Sequence, residues 1–287
     1  MDLSQMPPDW PHRDAGKRIR SRPHDWWVID TGTGPTLVLL HGAGGSGHSF
    51  RHLIPLLSPH YRLIVPDLPG QGFTRPGSRS RFGLDTMAED LVTLCTAMEI
   101  EPVAVIGHSA GAAIALRMAE FLPLRAVVGI NAALSTFDGV AGVMFPMLAR
   151  VLAVTPFIPH VVARLWGKPA TVNKLLASNG SPLDAAGQAQ YLTLVRDPGH
   201  VDGTLGMMAQ WKLDDLTARL PQSRTPTLLI ATSGDTAVPA RVSRDMAARM
   251  PTARYAEIAG FGHLVQEEAA EKVADLILPF LAEYTGP

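Results

Sequence analysis

With Cys95 as its only cysteine, the 287-residue chain can form no intrachain disulfide. That fits a reducing compartment, and a cytoplasmic protein is expected. An excess of charge of one sign is also missing. The formal net charge is -1, and no Lys/Arg stripe runs along the chain, which argues against nucleic acid as a partner. The one basic cluster, Lys17-Arg18-Ile19-Arg20-Ser21-Arg22, is short and lies near Asp14 and Asp25. It reads as a solvated strand edge. An unbroken apolar run is absent too. The most apolar stretch, 140–163, is interrupted by Pro146, Arg150, Pro156, Pro159 and His160. It makes a poor membrane span, and contact with a membrane surface, as a peripheral protein, stays open. The first nine residues are acidic and Pro-rich, with none of the apolar core of a signal peptide. The ten histidines form no clustered ligand set, so no metal site is expected. No Gly-x-Gly-x-x-Gly follows a strand and no Walker A motif is present, so no cofactor is expected either.

What is present is a regular alternation. Strand-like runs at 26–30, 36–40, 62–66, 102–106, 124–130, 227–231 and 253–258 alternate with helical runs at 49–57, 85–98, 112–122, 242–249 and 266–284. This predicts an α/β fold, a mostly parallel sheet with helices on both faces. The Gly32-Thr33-Gly34-Pro35 turn suggests that its two flanking strands pair as an antiparallel hairpin. Between 135 and 211 the alternation stops. That stretch is helix-like and rich in Pro, Gly and Met. It reads as a helical cap between two halves of one core, 1–134 and 212–287. At 46% hydrophobic residues, the chain can bury a large core as one domain with an insertion.

The most informative segment is Gly107-His108-Ser109-Ala110-Gly111, set between a strand-like run and a helical one. That context suits a nucleophile elbow, with Ser109 on a strained turn and small neighbours to make room. A serine nucleophile needs a base, an acid to orient it and donors for the oxyanion. Asp235 lies in the loop just past strand 227–231. His263 occupies the equivalent place one strand later. The ends of parallel strands are where such sheets build sites. Ser109, Asp235 and His263 are therefore the expected catalytic residues. Asp is also a common turn former, so Asp214 and Asp215 stand as fallback acids, although they precede the strand. The loop 41–47, His-Gly-Ala-Gly-Gly-Ser-Gly, is expected to supply one oxyanion N–H from Ala43, with Gly44 as second choice, and Ala110 the other. His41 is expected to fix that loop by hydrogen bonds, and His108 to point away from the reacting centre. Gly70-Gln71-Gly72 reads as a turn beside the pocket.

The order Ser, Asp, His along the chain resembles that of the α/β-hydrolase superfamily. The resemblance extends from about residue 26 to 284. Within it, the chain is similar to the magnesium-chelatase accessory proteins of bacteriochlorophyll synthesis. The likeness rests on Asp9-Trp10-Pro11-His12-Arg13, Leu40-His41-Gly42-Ala43-Gly44, Asp67-Leu68-Pro69-Gly70-Gln71-Gly72-Phe73-Thr74, Ile106-Gly107-His108-Ser109-Ala110-Gly111 and Gly260-Phe261-Gly262-His263-Leu264-Val265. Gln71 stands where such a loop often has His. The resemblance implies a role near magnesium insertion into protoporphyrin, with chelatase subunits or a tetrapyrrole as partners. Three readings follow. One is a serine hydrolase acting on an ester or similar acyl bond of an apolar substrate. The second is a non-catalytic module that binds a tetrapyrrole or the chelatase. The third is a cofactor-free C–C hydrolase or perhydrolase. In the cap, Met144, Phe145, Phe157, Trp166, Met207, Met208 and Trp211 are expected to line a broad apolar pocket. Packing of the cap on the core is the alternative for these residues.

Overall fold

Residues 16–130 and 227–258 supply eight strands to one sheet in the computed structural model, which describes residues 1–135 and 157–285. In chain order the described elements are β1 (Gly16–Ser21), β2 (His24–Thr31), β3 (Thr36–Leu40), α1 (Ile54–Leu57), β4 (Arg62–Pro66), α2 (Leu84–Ala97), β5 (Ala104–His108), α3 (Ala110–Met118) and β6 (Ala126–Ile130). After these come α4 (Ile158–Trp166), α5 (Pro169–Ser178), α6 (Ala185–Arg196), α7 (Pro198–Gln210) and α8 (Asp214–Arg219). The chain then returns to the sheet with β7 (Thr227–Thr232), α9 (Ala240–Arg249), β8 (Ala253–Ile258), α10 (Val265–Glu268) and α11 (Ala270–Thr285). The strand order is β1-β2-β4-β3-β5-β6-β7-β8, and every pairing from β4 to β8 is parallel.

The apolar runs are continuous because the central strands are covered on both faces. Successive residues of β3 divide between the two sides. Val38 and Leu40 join Met87, Leu91, Ala112 and Met246 from α2, α3 and α9. Leu37 and Leu39 join Leu57 of α1 and Val273, Ile277 and Leu281 of α11 on the other side.

The expected hairpin between β2 and β3 is not formed. β2 pairs antiparallel with β1 on one side and β4 on the other. β3 is buried on both faces, so it takes a central place between β4 and β5. The 32–35 turn thus carries the chain across the end of β4, where Pro35 O accepts from Arg62 N at 3.1 Å. The basic cluster falls on β1, at the sheet edge. Two expected helices are divided. A short 3-10 turn, Gly47–Phe50, precedes α1, and Ala269, at φ -147°, separates α10 from α11. From 157 to 211 the described residues are helices and loops with no strand.

Candidate active site

Ser109 stands at the junction of β5 and α3 with φ 53° and ψ -117°. A non-glycine residue there stores about 1–3 kcal/mol of strain, and the surroundings hold it. Its N–H donates to Ile130 O at 2.9 Å, and its carbonyl accepts from Ala112 N and Ala133 N, both at 3.1 Å. The small neighbours are required sterically. A Cβ on Gly107 would lie 2.2 Å from Gly111 O, and one on Gly111 would lie 2.2 Å from Leu40 O.

Asp235 and His263 follow β7 and β8 and meet. Asp235 Oδ2 accepts from His263 Nδ1 at 2.7 Å, and Oδ1 accepts from the N–H groups of Ala237 and Val238 at 2.8 Å each. The carboxylate is thus filled by three donors, and both side chains are largely buried. A hydrogen bond at Nδ1 leaves Nε2 as the nitrogen available for proton transfer. Asp214 and Asp215 open α8 on the surface, exposed.

The 41–47 loop lies against the elbow. A Cβ on Gly42 would come within 3.0 Å of Ser109 Cβ. His41 is buried and neutral. Its Nδ1 donates to Gly42 O at 2.8 Å, its Nε2 accepts from Leu68 N at 2.9 Å, and burial lowers its pKa to about 4. His108 turns its Nε2 to His263 O at 2.9 Å, and burial holds it well below the ordinary histidine range. Gly44 N donates to Gln71 Oε1 at 2.7 Å. That N–H is engaged, so within this loop Ala43 is the better candidate for an oxyanion donor. His48 and His52 stand four apart, and His48 Nδ1 is hydrogen-bonded to Ser46 Oγ at 2.7 Å. Among the described residues no group of three or more His, Cys, Asp or Glu could hold a metal ion.

Asp67, after β4, anchors the far end of this loop. Its Oδ1 accepts from Gly47 N and its Oδ2 from Phe73 N, both at 2.7 Å. Burial nevertheless pushes its pKa up to about 6, against these two hydrogen bonds. The unfolded chain ionises first, from about 3.8. The folded chain keeps its proton to about 6, so it loses stability as pH rises between these values. Asp67→Asn removes that dependence. Its stability deficit against the native chain should be widest below pH ~4 and shrink by about 3 kcal/mol on reaching pH ~6. Urea unfolding across this range measures the gap; a gap that does not change with pH would contradict the shift.

Several supporting residues give no signal in the sequence. Asn131, buried just after β6, donates from Nδ2 to His263 O at 2.9 Å and accepts at Oδ1 from Thr232 N at 2.9 Å. Its φ of 44° is one that Asn tolerates. It joins the loop of His263 to the end of β7. Asn131→Ala orphans a buried N–H and is expected to cost about 2–3 kcal/mol of stability. If the site is catalytic, kcat should fall about tenfold with KM little changed. Equal kcat in a folded variant would remove the positioning role.

The helical insertion contributes five further contacts. His263 N donates to Asn179 O at 3.0 Å, and Leu264 N donates to Ser181 Oγ at 2.8 Å. His200 of α7 donates from Nε2 to Gly44 O at 3.2 Å and accepts at Nδ1 from Gly72 N at 3.0 Å. Gln71 also reaches Met207 Sδ of α7 at 3.2 Å. The one readable sign was Asn179-Gly180-Ser181, a turn sequence. The backbones of Gly180 and Gly262 come so close that a Cβ on Gly262 would lie 2.2 Å from Gly180 O.

The described cap residues differ in exposure. Phe157 and Trp166 are exposed. Met207 is buried in the main core, Trp211 packs against that core, and Met208 is half-buried. Met144 and Phe145 lie outside the described residues. At Met207 and Trp211, burial against the core wins.

Comparison with known proteins identifies the family. The model of the alpha/beta hydrolase fold family matches residues 35–270. The chain is 54% identical to the magnesium-chelatase 30 kDa subunit of Rhodobacter capsulatus, over 98% of this chain and 99% of that protein. It is 32% identical to a pimeloyl-(acyl-carrier protein) methyl ester esterase of Xanthomonas oryzae pv. oryzae, over 88% of this chain and 96% of that one. A solved meta-cleavage product hydrolase from Pseudomonas fluorescens IP01 superposes with TM-score 0.78 at 23% identity, covering 94% of this chain and 98% of that chain. The chain belongs to the α/β-hydrolase family, in the branch that holds the Rhodobacter capsulatus magnesium-chelatase subunit.

Proposed function

We propose that the protein is a serine hydrolase that cleaves an ester or similar acyl bond of an apolar substrate. One observation carries the reading. The imidazole of His263 is oriented by a fully occupied Asp235 carboxylate, in a loop tied through its own carbonyl to His108, the residue before Ser109. The strained turn at Ser109 supports it, since strain of this kind collects at functional sites.

In the reaction, Ser109 Oγ attacks the acyl carbon while His263 Nε2 takes its proton. Asp235 stabilises the imidazolium. The developing oxyanion is held by the N–H groups of Ala110, at the start of α3, and Ala43. His263 then returns the proton to the leaving alcohol, and water repeats the sequence to release the acid. The relative named a methyl ester esterase supports ester chemistry. The relative named a magnesium-chelatase subunit supports a place beside that enzyme in tetrapyrrole synthesis, with chelatase subunits as partners. It also favours a second reading, in which the fold binds a tetrapyrrole or the chelatase without turnover.

Labelling with a fluorophosphonate separates the two readings. The native protein is expected to take the label on Ser109, and Ser109→Ala and His263→Ala are expected to remain unlabelled. A folded native protein that takes no label would overturn the hydrolase reading in favour of binding, and titration with protoporphyrin IX would then test that reading.

A further inference from the structure

The helix α4 (Ile158–Trp166) is amphipathic in an unusual sense. Its buried residues, Pro159 and Ala163, are small and face α6 and α7. A step of four places Phe157, Val161 and Leu165 along the opposite side. They are 76%, 48% and 55% exposed. Trp166, at the end of α4, and Leu175, on α5, are also exposed. A helix on a soluble surface normally turns polar residues outward. Here the large apolar residues face outward and the small ones inward.

The charge beside this stripe is of one sign. His160 and Arg164 follow the same step of four and are exposed, as are Lys168 and Lys174. From 139 to 183 the sequence has no Asp or Glu, but it has Arg150, Arg164, Lys168 and Lys174. The chain as a whole carries -1, so this stretch holds a local cationic excess.

We infer that this face docks on an anionic lipid surface. Phe157, Val161, Leu165 and Trp166 enter the boundary between headgroups and acyl chains, while Arg164, Lys168 and Lys174 meet the lipid phosphates. This pairing of aromatic and aliphatic residues with flanking cations is what an interfacial helix requires. The helix lies in the surface and does not cross it. Nine residues rise about 13 Å, well short of a bilayer core, and among the described residues no helix is long and apolar enough to span one. A second copy of the same face is a poor occupant, because like cations would be brought together. The inference does not rest on the hydrolase reading, and Ser109→Ala should bind lipid as the native protein does.

Co-sedimentation of the full chain with vesicles tests it. Binding is expected to vesicles of phosphatidylcholine mixed with phosphatidylglycerol, and to fall steeply with added salt. Phosphatidylcholine alone should bind little. Arg164→Gln, Lys168→Gln and Lys174→Gln together should lower partitioning about a hundredfold, at about fivefold for each charge. Phe157→Ser with Leu165→Ser should lower it at least about tenfold. All five substitutions are at exposed positions, and circular dichroism of each variant should match the native spectrum. Equal binding to neutral vesicles, no binding to either, or full binding by the variants would overturn the inference. So would a native dimer that Phe157→Ser with Leu165→Ser turns into monomer. Retention by purified chelatase subunits through the same residues, without vesicle binding, would assign the face to a protein partner instead.

Discussion

Ser109→Ala and His263→Ala are each expected to reduce hydrolysis of a short acyl ester by at least about 10⁴-fold, and the double variant by no more than either alone. The reason is that nucleophile and base act as one unit. With the hydroxyl gone, the base has no proton to take, and with the imidazole gone the hydroxyl stays protonated and weakly nucleophilic. Asp235→Ala should cost less than either single loss, because the imidazole remains but loses the partner that orients it. It also leaves the N–H groups of Ala237 and Val238 without their acceptor, so its stability must be measured beside its rate. Steady-state kinetics on the four variants, with circular dichroism to show that each is folded, decides the matter. Additive losses, or turnover retained by Ser109→Ala, would remove the triad.

The second large effect is structural. Gly111→Ala is expected to lose about 4 kcal/mol or more, enough to unfold a protein of ordinary stability. The added carbon would sit 2.2 Å from Leu40 O and 2.6 Å from His41 O. Both are backbone atoms of β3 and of the loop after it, and neither can rotate away. Helix α3 would have to lift off the sheet just where Ser109 is held. Gly260→Ala is the control. Gly260 has a positive φ, 85°, but a Cβ there meets nothing within 4 Å, so only the local strain of about 1 kcal/mol applies. Thermal or urea unfolding of the two variants compares them directly. Equal losses would show that crowding at the elbow is not what Gly111 relieves.

The sequence carries the sheet clearly because its central strands are continuous apolar runs, and such runs are intelligible one at a time. Their pairing is not. β2 and β3 are joined by a short Gly-rich turn, and that local cue suggested a hairpin. The pairing of β2 is set instead by β4, which comes about thirty residues later and which no local pattern announces. The candidate site divides in the same way. Ser109, Asp235 and His263 each stand just past the end of a strand, in a Gly-rich setting, so position and residue type coincide. Asn131, Ser181 and His200 act through side-chain hydrogen bonds to groups distant in the sequence, and Asn179 through its main-chain carbonyl. A lone polar residue on a helix or in a turn looks the same whether or not such a bond exists. The cap residues are hard to read for the opposite reason. Met207 and Phe157 are alike in being apolar, yet one is buried in the core and the other faces outward.

The edge strand β1 has a consequence for how copies of the molecule meet. An open strand edge is a template on which another chain can add its own strand. On this one, Lys17, Arg18 and Arg20 occupy three of six positions. Two copies approaching through β1 would bring Arg20 of each copy to the pairing, beside Lys17 and Arg18, which are ion-paired with Asp30 and Asp25. The opposite edge, β8, carries Arg254 and Glu257, and only Ile258 at its end is buried. Cations along an edge strand oppose the addition of a further strand there, which works against growth of the sheet from copy to copy.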